Sequence, residues 1–165
     1  MGNIKRKKPT TILECGSGIS TVVFGYYSKK YSSSSNQIKV VSMEESKKYH
    51  DNIIKIFPND LKEKIQFLLR DRKEKMYGNN LGSYYENVPD LNYDFLYIDG
   101  PVDRKVFNNK NYPKTFNSDL INILLKSNLK VNAVLDQRIH SYRVLKKLLN
   151  NNNIKYDVIK KITFF

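Results

Sequence analysis

The sequence predicts an α/β fold in three layers: a mostly parallel sheet, helices on both of its faces, and an antiparallel edge at the C-terminus. Three observations predict it. Five short, apolar and mostly β-branched runs are separated by stretches with helical periodicity or by polar loops. Strands joined in that way pair in parallel through right-handed crossovers. The apolar share of 40% beside 27% charged residues fills one core and argues against a disordered chain. At about 150 residues per domain, the 165 residues make one domain, residues 1–165.

The elements follow in order. Residues 1–9, Met1 to Pro9, form a basic tail. Thr10 to Cys15 is β-branched and apolar and runs into the turn Gly16-Ser17-Gly18. Ser20 to Lys30 carries Val22, Val23, Tyr26 and Tyr27 at helical spacing. A serine-rich loop leads to the strand Ile38–Met43 and then to an amphipathic helix from Glu45 to Phe57, broken by Pro58-Asn59-Asp60. Ile65–Leu69 is a third short strand. Residues 71–92, polar and rich in Gly, Asn and Tyr, read as an excursion over the surface. Tyr93–Ile98 is the clearest strand, stopped by Asp99-Gly100-Pro101. Leu120, Ile121, Leu124 and Leu125 share one face of a helix over 117–128. Val131–Leu135 is a fifth strand ending at Asp136, His140–Leu149 a helix, and Ile154–Phe165 one or two closing strands.

Composition narrows the function classes. No run approaches the roughly 18 apolar residues of a membrane span, and the basic tail lacks the apolar stretch of a signal peptide. A cytoplasmic protein with no membrane partner is expected. One cysteine, Cys15, excludes an internal disulfide and multi-cysteine zinc sites; its place inside a strand end marks it as buried packing. The formal charge of +13 suits a nucleic-acid partner. However, 23 of the 29 basic residues are Lys, whereas base readout favours Arg, and Lys–Asn enrichment also follows from an AT-rich genome.

In parallel sheets, ligands bind outside the carboxyl ends of the strands. Those ends here are Glu14–Gly18, Glu44, Arg70-Asp71, Asp99 and Asp136. Gly16 and Gly18 permit a tight turn and close approach to a ligand, and Ser20-Thr21 open a helix whose N–H groups face the same space. Thr21 stands where a dinucleotide fold has its third glycine, and no P-loop lysine follows Gly16. Glu14 would repel a phosphate and suits a cationic ligand group.

These residues resemble a family. Ile12-Leu-Glu-Cys-Gly-Ser-Gly-Ile-Ser-Thr21 is similar to motif I of the class I S-adenosylmethionine-dependent methyltransferases. Val40-Val-Ser-Met-Glu44 resembles their second motif, and Tyr93-Asp-Phe-Leu-Tyr-Ile-Asp-Gly-Pro101 their fourth strand. Val134-Leu-Asp-Gln-Arg138 falls where their fifth strand delivers another acid. The resemblance covers about Thr10 to Leu149 and implies a Rossmann-like three-layer α/β/α sandwich. It implies that Gly16, Ser17, Gly18, Ser20 and Thr21 wrap S-adenosylmethionine, with Glu14 close to its ammonium. Glu44 takes both ribose hydroxyls, a role for which Glu45 competes, and Asp99 lies near the sulfonium. The picture requires Glu14 and Glu44 to face one common hollow.

The acceptor side is read from Asp99, Asp136 and His140, the candidate catalytic residues, with His140 a general base four residues after Asp136. In catechol-type relatives the corresponding acids hold a divalent cation. Asp99, Asp136 and Gln137 would be the Mg²⁺ set here, a reading ranked below a metal-free site. Arg70-Asp71 could reach the adenine edge, Tyr84 and Tyr85 could stack on a planar acceptor, and Arg104 and Lys105 could meet an anionic one. The short segments before the first strand and at the C-terminus suggest a homo- or hetero-oligomer that closes the site. The implied function is methyl transfer to a small-molecule acceptor, for example a hydroxyl. The alternative is an inactive, basic nucleic-acid-binding protein on the same fold.

Overall fold

The computed structural model describes residues 7–100, 106–107, 110–111, 114–126, 130–150, 154–159 and 161–164. Arg104, Lys105 and most of the basic tail lie outside them. The chain begins with β1 (Thr11–Cys15), α1 (Ile19–Tyr31), β2 (Lys39–Glu44), α2 (Lys47–Ile56), the one-turn α3 (Asn59–Lys62) and β3 (Gln66–Leu69). Next come β4 (Arg72–Tyr77), β5 (Asn80–Tyr85), β6 (Phe95–Ile98), and the two-residue strands β7 (Val106–Phe107), β8 (Lys110–Asn111) and β9 (Phe116–Asn117). The last elements are α4 (Asp119–Lys126), β10 (Asn132–Asp136), α5 (Ile139–Leu148), β11 (Lys155–Asp157) and β12 (Ile162–Phe164).

The fold is mixed α/β. Seven strands form one sheet in the order β11-β12-β10-β6-β1-β2-β3. β1 pairs in parallel with β2 on one side and β6 on the other, and β2–β3 and β6–β10 are parallel too. β12 runs antiparallel to both β10 and β11, which makes the C-terminal edge the expected antiparallel one. The chain thus winds outward from β1 to β3 and resumes on the other side of β1 at β6. The carboxyl ends of β1 and β6 lie side by side where the winding reverses.

Alternate residues of each strand enter two separate cores, as the period of two requires. Ile12, Val40, Phe95 and Val134 pack with Phe24 and Tyr27 of α1 and with Phe57 and Leu61 at α3. Leu13, Cys15, Met43, Leu96, Ile98 and Leu135 face the other way, against Tyr85, Phe116, Leu120 and Leu145. At the start of the sheet, Asp94 accepts the Thr10 N–H and hydroxyl at 2.8 Å each and the Thr11 N–H at 3.0 Å, pinning β1 to β6.

Residues 71–92 correct the expectation of a surface excursion. They contain a β4–β5 hairpin turned at Gly78-Asn79, and β5 adds β9 in parallel to make a second, three-stranded sheet. β4 is largely exposed, but Leu81, Ser83 and Tyr85 of β5 are buried. The polar composition belongs to the outer strand, and the inner one closes the core.

Gly16 has a φ of +96°, and a Cβ there would stand 2.6 Å from the Gly100 nitrogen. Gly100 donates its N–H to the Cys15 carbonyl at 2.6 Å, beside that of Asp99 at 2.8 Å. The turns after β1 and β6 therefore touch backbone to backbone, which only glycine allows. At Gly18 a Cβ would meet nothing within 4 Å. Gly16→Ala is expected to cost about 2 kcal/mol or more of stability in urea denaturation, and Gly18→Ala less than about 1 kcal/mol. Equal losses in the two variants would contradict this account.

Candidate functional site

β1 and β2 deliver two carboxylates to the same end of the sheet, and the structure gives them different work. Glu44, 8% exposed, accepts the N–H groups of Glu45 and Ser46 on Oε1 at 3.0 and 2.9 Å, and that of Ser17 on Oε2 at 3.2 Å. A carboxylate has about four lone-pair positions, so Oε2 keeps one to offer. The neighbouring Glu45 is drawn off by Arg72 of β4, whose Nε lies 3.3 Å from its Oε2. Of the two candidates for the ribose, only Glu44 stands against the Gly16–Gly18 turn.

Glu14 corrects the expectation of direct contact with a ligand. It is fully buried, and Ser20 donates to its Oε1 at 2.5 Å while Thr21 and Ser42 donate to Oε2 at 2.6 Å each. It ties the end of β1 to the first turn of α1 and to β2. The hydroxyls of Ser20 and Thr21 are thereby spent on Glu14, and the Thr21 N–H bonds the Gly18 carbonyl at 3.1 Å, so the buried Thr21 is a framework residue. Glu14 and Glu44 do not face one hollow; Ser17 joins them. Its Oγ lies 2.7 Å from that of Ser42, whose proton goes to Glu14, while its N–H goes to Glu44. Burial pushes Glu14 up to about 7, against the pull of its three hydroxyl partners.

The open part of the site is therefore the Ser17–Ile19 corner. Gly18 borders free space, Ile19 is 85% exposed, and the first N–H groups of α1 point outward from the helix end. Arg70 donates its N–H to the Glu44 carbonyl at 2.9 Å, and its guanidinium bonds the carbonyls of Asn87 and Leu69 at 3.2 Å each.

At the ends of β6 and β10, Asp99 keeps a half-exposed side chain, and Asp136 accepts the Tyr97 hydroxyl at 3.1 Å. Burial raises the Asp99 carboxyl, Arg138 lowers it, and Asp136 raises it. Arg138 reaches from the start of α5 to donate to the Asp99 carbonyl, with Nη2 also 3.9 Å from Oδ1. His140 lies in the first turn of α5, partly buried. Gln137 is exposed with φ +49°, its N–H bonded to the Lys161 carbonyl at 2.8 Å. Both acids of the expected Mg²⁺ set have protein partners, the Arg138 guanidinium beside Asp99 and the Tyr97 hydroxyl that donates to Asp136.

Two buried residues, Asn117 and Asp119, escaped the sequence reading. Asn117, 2% exposed, donates Nδ2 to the Gly100 carbonyl at 2.5 Å, accepts the Asp119 N–H at 3.1 Å, and donates its own N–H to Ser141 at 2.8 Å. Asp119 accepts the Tyr85 N–H at 2.9 Å and, by burial, is pushed up to about 7. Tyr85 is 2% exposed, so its ring is core and does not stack on an acceptor; Tyr84, beside it, is partly exposed. The only available signal was Asn117-Ser-Asp119, polar residues ahead of an apolar helical run. Cys15 is buried and free, its thiol pushed up by burial, as expected of packing.

No helix among the described residues is long and apolar enough to cross a membrane. No protein-family model matches the chain, and no curated protein matches it.

The pH dependence follows from Glu14. Its folded value of about 7 exceeds the ordinary 4.5, so the native state holds the proton more tightly than the unfolded chain does. The resulting stability is full below about pH 4.5 and is lost as pH rises through about 7, a swing of about 3 kcal/mol. Glu14→Gln should therefore gain stability relative to the parent chain between pH 5 and 8 in denaturant titrations. A difference that does not change with pH would show Glu14 to be unperturbed.

Proposed function

We propose that the protein is an S-adenosylmethionine-dependent methyltransferase on a Rossmann-like three-layer fold, acting on a small acceptor such as a hydroxyl compound. The expected grip by two acids is absent, since Glu14 is spent on Ser20, Thr21 and Ser42, so one observation carries the reading: Glu44, with a lone pair to spare, stands against an open glycine turn where the sheet's winding reverses. The strand order β3-β2-β1-β6-β10 is that of a doubly wound sheet, whose ligands lie in that crevice. The motif resemblance over Thr10 to Leu149 supports the same assignment.

When bound, S-adenosylmethionine supplies an electrophilic methyl group on a cationic sulfur. Glu44 accepts one hydroxyl of the ribose diol at its remaining Oε2 position instead of both, and the backbone of Ser17 and Gly18 provides the wall that a side chain would obstruct. Glu14 acts at one remove, holding Ser42 and hence Ser17 in place. Asp99, half exposed with a raised carboxyl, is the group at the β6 end suited to take the proton that the acceptor hydroxyl releases. Arg138 steadies the Asp99 carbonyl and adds a positive charge beside its carboxylate.

Calorimetric titration with S-adenosylmethionine or S-adenosylhomocysteine is expected to show binding. Glu44→Ala should weaken it by about 1.5–3 kcal/mol, the loss of one charge-assisted hydrogen bond. Gly18→Ala should weaken it while sparing stability. The absence of binding by the parent chain at high micromolar ligand would overturn the reading. Salt-dependent retention on nucleic acid, indifferent to Glu44→Ala, would point to the alternative of a basic nucleic-acid-binding protein.

A further inference from the structure

The formal charge of +13 is not spread evenly, and the segment from α5 to β11 carries no acid to offset its share. From Gln137 to Tyr156 the sequence has no Asp or Glu, although the whole chain has 16. Val144 and Leu145 of α5 are buried, as is Ser141, which accepts the Asn117 N–H at 2.8 Å. The opposite face presents Arg143, Lys146 and Lys147, all exposed, at the three- and four-residue spacing that makes one helical stripe. Lys155 on β11 is exposed as well.

Two features single this stripe out. Elsewhere in the chain Lys29, Lys47, Lys64 and Lys73 are drawn to Asp60, Asp51, Glu63 and Glu86 at 2.6–2.8 Å. Among the described residues, Arg143, Lys147 and Lys155 have no such acid, and Lys146 turns to Tyr142 instead, its Nζ 3.5 Å from the hydroxyl and 5.8 Å from the ring centre. The flanking acids do not reach it: Asp99 faces Arg138, Asp136 accepts from Tyr97, and Asp157 accepts the Ile159 N–H at 3.0 Å. The helix dipole favours Lys146 and Lys147 in the last turn of α5, but it accounts for neither Arg143 nor Lys155. The second feature is aromatic. Tyr142 and Tyr156, both partly exposed, stack with ring centres 5.3 Å apart and planes at 28°, beside Lys146 and Lys155. Cations next to aromatic rings suit a polyanion that carries planar groups.

We propose that the α5–β11 face binds single-stranded nucleic acid, with phosphates on Arg143, Lys146, Lys147 and Lys155 and a base stacked against the Tyr142–Tyr156 pair. A basic track beside aromatic side chains holds such strands with little sequence preference. The excess of Lys over Arg agrees with this, since Lys meets a phosphate as a point charge whereas base readout favours Arg. None of the four cations belongs to the Gly16–Gly18 crevice, so the proposal stands apart from the adenosyl reading. It puts strand binding and the crevice in one working chain, whereas the alternative above has strand binding alone.

The test is an anisotropy titration of the full chain with a labelled oligothymidylate. Four phosphate contacts give a slope of about −2.8 in log affinity against log salt, a fall of about 50-fold between about 50 and 200 mM. Arg143→Gln with Lys147→Gln should lower the affinity about tenfold or more at the lower salt and roughly halve the slope. Lys48→Gln with Lys55→Gln on α2 removes the same charge from another exposed face and should change the affinity less than about twofold. Tyr156→Leu should lower it about fivefold or more. The four charges substituted are exposed, so both pairs should keep the parent melting temperature. Equal losses from the α5 and α2 pairs would reduce the binding to net charge and overturn the proposal. So would no binding by the parent, or a folded Tyr156→Leu that binds as the parent does. Tighter binding of a DNA duplex, or of vesicles rich in anionic lipid, than of the oligothymidylate would overturn it too. If the parent binds oligothymidylate but not S-adenosylhomocysteine, the adenosyl reading falls and this proposal stands.

Discussion

The contact between Gly16 and Gly100 is the constraint on which the rest of the site depends. Two turns from strands far apart in sequence meet with no side chain between them. The Cys15 carbonyl receives both the Asp99 and Gly100 N–H groups, which locks the pair. Asn117 holds the other side of Gly100 through its carbonyl, so the turn is clamped from β1 and from β9 at once. Ser17, Gly18 and Asp99, which are proposed to line the ligand site, take their positions from this crossing.

Around it, buried carboxylates act as ties. Asp94 joins the starts of β1 and β6, Glu14 joins β1, α1 and β2, Glu44 joins the turns after β1 and β2, and Asp119 joins α4 to β5. Burying a carboxylate is unfavourable unless its oxygens are bonded. Glu14 meets that condition with three hydroxyls and no cation, and so its carboxyl rises instead of falling. The hydroxyl-rich lining, Ser17, Ser20, Thr21 and Ser42, exists around Glu14 for this reason as much as for any ligand.

The sheet was legible in the sequence because its strands are buried on both faces and read as short apolar runs closed by turn residues. The strand ends were legible for the same reason, and they put Glu44 and Gly16 where the structure has them. The direction of Glu14 was not. A strand–turn–helix unit returns residues six and seven positions later to the strand end, and Ser20 and Thr21 there accept a role that spacing alone assigns to a ligand. The β4–β5 hairpin was hidden because its outer strand, Arg72–Tyr77, is charged on alternate positions, while the burial that defines the inner strand comes from a sheet distant in sequence. Gly78-Asn79 was its one local sign. Asp119 and Asn117 act through contacts to residues 17 to 34 positions away, which no local pattern encodes.

The polar groups without partners complete the argument from the opposite side. Tyr85 Oη, Asp119 Oδ2 and Ser83 Oγ belong to one patch, since Ser83 and Tyr85 share a face of β5 and Asp119 bonds the Tyr85 backbone. Each such atom costs about 1–3 kcal/mol, and a domain's whole stability is only about 5–15 kcal/mol. Glu14, no less buried and only a strand end away, has every oxygen satisfied, so the fold is capable of bonding polar groups in this region. The three unbonded atoms of this patch are therefore a cost that the packing of the two cores and the bonded carboxylates around them offset.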